Sequence, residues 1–112
     1  MIIKNITKNT TIAFNARIAD NFLTRLIGLL LTSRLDRGDA LIISSCNSIH
    51  TIGMKYPIDV IFLDQNYKVV KIAFNLSSCK ISTCLNASYV IEMPSGIGRS
   101  SRTGIGDMIA MV

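Results

Sequence analysis

The chain of 112 residues has no tryptophan, two prolines, one histidine and three cysteines. An odd and small cysteine count excludes a scaffold built on disulfides, which needs several paired thiols. Cys79 and Cys84 are near enough in sequence to pair across a loop, but nothing demands it. With Pro57 and Pro94 the only prolines, and no repeat or low-complexity stretch, the chain offers no linker, so residues 1–112 are expected to form one domain. No apolar run approaches the roughly 20 residues of a membrane span. The longest runs from Leu26 to Leu31.

Charge is scarce as well. Charged residues make up 17% and hydrophobic residues 49%, which excludes a disordered tail, because such tails lack the apolar surface that offsets ordering entropy. Twelve Lys and Arg against seven Asp and Glu leave a net charge of +5. The basic residues are scattered, no stretch sets several of them on one face with aromatics between, and there is no Trp to stack bases, so nucleic acid is not expected as a partner and the charge reads as a solubilising surface. The start, Met1 to Asn5, has neither an apolar signal core nor a small-residue cleavage site, so a cytoplasmic location is expected. The apolar excess points to spare surface and to self-association as a homo-oligomer.

Ile2 to Ile6 and Thr11 to Ala16 are rich in β-branched residues and flank a turn at Lys8-Asn9, as two strands would. Asp20 can cap a helix over Asn21 to Leu31, where Phe22, Leu23, Leu26, Ile27 and Leu30 recur at helical spacing. Further strands are expected at Ala40 to Ile43, Ile58 to Leu63, Lys68 to Phe74, Ser88 to Met93 and Met108 to Val112. The second and third of these form a hairpin across Asp64-Gln65-Asn66. Ile58 to Leu63 is apolar on both sides and is expected to be covered on both faces. The pattern predicts an α+β domain that is β-rich, mostly antiparallel, with one main helix and a sheet or partial barrel.

Reactive side chains concentrate in the 14 positions from Cys46 to Asp59, which hold the only histidine, His50, together with Met54. Three readings compete. Cys46, His50 and Met54 are soft-metal ligands spaced four apart, which stack on a helix. On a strand, Cys46 and His50 lie roughly 13 Å apart. Ser44, Ser45, Thr51 and Gly53 disfavour helix, so no metal and no cofactor is expected. Alternatively, Cys46 attacks, His50 is its base and Asp59 orients the imidazole, as in a small hydrolytic or metal-assisted enzyme. In the third reading Cys46 and Met54 pack as core residues and His50 ties two strands. There Asp59 satisfies backbone donors. A carboxylate between Ile58 and Val60 must find a partner, and His50 is the first candidate.

The run from Ser95 to Asp107 carries four glycines with Arg99 and Arg102. Its amides and arginines form a weak candidate anion cradle, without the Gly-Lys-Ser/Thr end of a P-loop. A connection between strands accounts for it better, with Asp107 in the turn before the last strand.

Taken in order, several segments follow one pattern: Arg25 to Leu30, Gly38, Cys46-Asn47-Ser48-Ile49-His50-Thr51-Ile52-Gly53-Met54, and Pro57 to Asp64. Tyr89-Val90-Ile91-Glu92, Gly96 and Gly104-Ile105-Gly106-Asp107 complete it. The chain resembles the Domain of Unknown Function 192 family of small prokaryotic proteins over about residues 12 to 112. The resemblance implies a compact β-rich fold and supplies no activity. Ser45 stands where the pattern has proline, and Asn75 to Asn86 lack a Pro-Trp-Arg-like signal. The expected function is therefore binding of a small ligand or a protein partner at the face carrying Cys46, His50, Met54 and Asp59. A Cys46/His50 enzyme and a protein-interaction module are the alternatives.

Overall fold

The computed structural model describes residues 1–19, 35–51 and 54–112. The helix expected over Asn21 to Leu31 lies outside them. Among the described residues ten strands and one short helix follow in order: β1 (Ile3–Asn5), β2 (Thr10–Ala13), β3 (Asn15–Ala19), β4 (Asp39–Ser44), β5 (Ser48–His50), β6 (Ile58–Leu63), β7 (Val69–Leu76), β8 (Ile81–Thr83), β9 (Tyr89–Pro94), α1 (Ile97–Ser100) and β10 (Ile109–Met111). Among the described residues, no helix is long and apolar enough to cross a membrane.

The strands form a five-stranded sheet in the order β3-β4-β9-β6-β7, a three-stranded sheet β10-β1-β2 and a ribbon β5-β8. Every pairing is antiparallel except β3 with β4. The two larger sheets meet at an isolated bridge, Lys68 to Met108, and where β2 runs into β3 through the exposed Phe14. No closed barrel results. The strand expected to stop at Ala16 instead bends at Phe14 and continues to Ala19, because β2 pairs with β1 and β3 with β4.

All six residues of β6 are buried, as the run of apolar side chains on both its faces requires. Side chains alternate across a strand, so the five-stranded sheet carries two cores. Ala40, Ile42, Ile61, Leu63, Ile91 and Met93 pack on one face with Ile3, Ile12 and Ile109 of the small sheet and Ile97 of α1. Leu41, Ile43, Val60, Phe62 and Val90 pack on the other with Ile49 of the ribbon and Met54.

Candidate functional site

The two cores divide the residues expected to share one face. Asp59 alternates with Val60 and therefore lies with Ile61 and Leu63 in the first core, whereas Met54 belongs to the second. The sheet stands between them. Asp59 is 1% exposed, and its carboxylate is paired as its burial demands, but not with the imidazole. Its Oδ1 accepts the Asn75 N–H at 2.7 Å. Its Oδ2 accepts the N–H groups of Gly96 and Gly98, each at 2.9 Å. The glycine-rich run thus cradles a carboxylate from its own chain. Gly96 sits at φ 99, a conformation open to glycine, and aims its amide inward. A Cβ on Gly98 would come within 2.9 Å of Phe74 Cε1 and 3.1 Å of Asp59 Oδ2, so only glycine fits against the carboxylate.

The two arginines of the expected anion cradle point elsewhere. The Arg99 guanidinium lies over the Phe74 ring, 4.4 Å from its centroid. Arg102 Nη2 donates to the Lys8 carbonyl at 3.2 Å, and Lys8 Nζ donates to the Arg102 carbonyl at 2.9 Å. Lys8 Nζ also reaches Asp107 Oδ2 at 2.9 Å, joined there by Asn5 Nδ2 and the Gly104 N–H at the same distance. Burial pushes the Asp107 carboxyl up, but the hydrogen bonds from Asn5, Lys8 and Gly104 and the Lys8 charge outweigh it and hold the group below its usual range. This clamp fixes the turn before β10 to the β1–β2 turn.

Met54 belongs to the core on the second side of the sheet and Cys46 packs against it, while His50 stands on the ribbon. Cys46 Sγ donates to the Ser48 carbonyl at 3.2 Å, and its backbone N–H bonds the Ser88 carbonyl at 3.2 Å. Met54 is buried. His50 pairs with Ile81 across the ribbon, while its neighbour Ile49 points into the core. Between Cys46 and Asp59 the described residues contain β5 and the start of β6, and no helix. No group of three or more His, Cys, Asp or Glu is arranged to hold a metal ion among the described residues. Cys79 and Cys84 occupy opposite ends of the ribbon: the Cys79 N–H bonds Thr51 O and the Cys84 N–H bonds Asn47 O. β8 lies between them, so the loop pairing weighed from their spacing is not formed.

Cys46 opens onto a cleft of about 320 Å³ at the end of β4, lined by Ser44, Ser45, Cys46, Asn47, Ala87, Ser88 and Tyr89. One wall is fixed by a stack of Tyr89 on Tyr67, with ring centroids 4.7 Å apart. Its floor is tied by the Cys46–Ser88 bond and by the Ser88 N–H donating to Leu63 O at 2.7 Å. Hydroxyls, an amide and a thiol line it, and among the described residues the lining carries no ionised side chain.

A second polar group was not anticipated from the sequence. Glu92 is 1% exposed in the middle of β9, and its cross-strand partners are Leu41 and Val60. Arg17 pairs with Leu41 in turn, so Arg17, Leu41, Glu92 and Val60 form one row on the second face. Tyr56 packs against this core, and burial raises its phenol pKa. The Glu92 charge raises it further and Arg17 opposes both. The signal was legible: an acid between Ile91 and Met93 in an apolar strand.

The comparisons agree with this architecture. The model of the Domain of Unknown Function 192 family, described as an uncharacterized ACR, matches residues 3–111. The chain belongs to this family, and the match takes in β1, which the resemblance over residues 12 to 112 left out. UPF0127 protein PH1112 of Pyrococcus horikoshii is 35% identical over 114 residues, covering 96% of each chain. UPF0127 protein PF1050 of Pyrococcus furiosus is 31% identical over 110 residues, covering 94% of this chain and 93% of the relative. A crystal structure of a protein of unknown function from Novosphingobium aromaticivorans superposes with a TM-score of 0.82 at 16% identity, over 98% of this chain and 82% of that one. At that identity the likeness is one of fold.

Proposed function

We propose that the domain binds a small, uncharged, polar molecule in the cleft at Cys46. One observation carries this reading: a cleft of about 320 Å³ whose lining gathers three serines, Asn47, the Cys46 thiol and Tyr89. That volume is at the lower end of what ligand pockets offer, and convergent polar groups are what fix a ligand's orientation. Among the described residues the lining holds no ionised group, which favours a neutral ligand, since a charged one would lose its hydration without a counter-charge. Of the four residues expected to form the binding face, Cys46 lines the cleft and His50 stands on the adjoining ribbon. Met54 supports the core, and Asp59 anchors the glycine turn.

The test is a fragment screen of neutral amides, polyols and heterocycles followed by amide chemical shifts. Hits should shift residues 44–47 and 87–89. Asn47→Trp, which fills the cleft from an exposed position, should abolish binding while leaving the fold intact. Hits that map elsewhere, or that bind Asn47→Trp as well, would overturn the reading. The enzyme alternative draws on the same thiol. It requires turnover of a bound fragment that disappears in Cys46→Ser while binding persists.

A further inference from the structure

The ribbon presents a surface independent of the cleft. In β8 the Ser82 side chain is buried, while Ile81 and Thr83 face outward with Leu85 just beyond. Ile81 is 70% and Leu85 83% exposed. Ile81 on the outer face of β8 and Leu85, four residues on in the turn that follows it, form an exposed apolar stripe. Among the described residues the outer backbone edge of β8 is open beside this stripe except at the Thr83 carbonyl, which Lys71 holds. Thr51 N–H bonds Lys80 O and Cys84 N–H bonds Asn47 O, so Lys80, Ser82 and Cys84 turn their amides toward β5. Ile81 and Thr83 turn theirs to the far edge, with which no strand pairs among the described residues. Lys71 Nζ reaches over this edge to the Thr83 carbonyl at 2.8 Å.

The chain segments that carry the ribbon hold charge of one sign. Residues 65–91 contain no Asp or Glu and carry Lys68, Lys71 and Lys80. Residues 40–58 likewise contain none and add Lys55. Between these two stretches, Asp59 is buried and Asp64 accepts the Asn66 and Lys68 N–H groups. We infer that the outer edge of β8 docks an extended acidic segment of a partner protein, which adds a strand to the ribbon. Its alternate apolar side chains lie on Ile81 and Leu85, and its carboxylates on Lys71 and Lys80. Strand addition satisfies the open backbone groups and lets side chains read the stripe. A second copy of this chain would bring like charges together at the same place. A lipid surface would leave the strand edge without partners.

The probe is a fluorescent ten-residue peptide alternating Glu and Val, with two controls: alternating Lys and Val, and the Glu peptide with two central prolines. Anisotropy titrations and amide shifts of the intact chain form the readout. The Glu peptide should bind saturably, shift residues 80–85 and Lys71, and weaken with added salt. Both controls should bind at least tenfold more weakly. Ile81→Ser with Leu85→Ser, and separately Lys80→Glu, should each weaken the Glu peptide at least tenfold. These side chains are exposed, so the variants keep their fold, which circular dichroism checks. Equal binding of the proline control, shifts confined to other residues, or no binding at millimolar peptide would each overturn the inference. So would sedimentation with phosphatidylserine vesicles in the absence of peptide binding, or concentration-dependent dimerisation through the same residues.

Discussion

Replacing Asp59 by alanine removes at once three hydrogen bonds accepted by a carboxylate that is 1% exposed. Each buried donor left without a partner costs about 1–3 kcal/mol. The Gly98 N–H is buried and bears that cost in full, whereas Asn75 and Gly96 lie at exposed residues where water can replace part of the loss. The sum is about 3–5 kcal/mol, a large share of the roughly 5–15 kcal/mol that holds a typical domain together. For a chain of this size, each kcal/mol lowers Tm by about 4 °C, so a fall of about 12–20 °C is expected. Asp59→Asn keeps one acceptor and turns an amide donor toward the amides the other oxygen served, so it should fall between the parent and Asp59→Ala. Urea unfolding followed by circular dichroism measures both variants, and the midpoint should move at constant slope. A ligand-contacting role predicts instead that stability is little changed. If Asp59→Ala unfolds within about 0.5 kcal/mol of the parent, the anchoring argument is wrong.

Two more perturbations follow from the same corner of the fold. Asp107 is held below its usual value of 3.8 in the folded chain, so its contribution is fully present above that value and is lost as pH falls through the lower, folded one. Asp107→Asn should flatten the acid limb of the stability profile, and an unchanged acid slope would refute the clamp. Gly98→Ala forces a methyl into 2.9 Å contact with the Phe74 ring and should cost about 1–3 kcal/mol. Phe74→Leu in the same chain should recover part of that loss, and strict additivity of the two would show that they do not meet.

The strands at Ile58 to Leu63, Lys68 to Phe74, Ser88 to Met93 and Ala40 to Ile43 were legible, since each is a β-rich run bounded by turn residues. The first is observed with the same bounds, and the others differ by a residue or two. β8 was not foreseen, and β5 only as part of an extended rather than helical stretch from Cys46 to Asp59: three residues carry too little pattern, and each strand exists because the other pairs with it. The need for a partner at Asp59 was equally legible, from a carboxylate between two apolar neighbours. Its identity was not, because Gly96 and Gly98 are 37 and 39 residues away and return to it through the pairing of β6 with β9.

Local chemistry along the chain was enough to set the β-rich class, the single domain, the buried strand and the family, because alternation and turn residues act over a few positions. Which face each polar side chain occupies depended on how distant strands registered. A strand's period of two assigns neighbours to opposite sides, and only the packed sheet says what waits on each side. That is why Cys46, Met54 and Asp59, close together in the chain, ended at a cleft, in a core and in a glycine cradle.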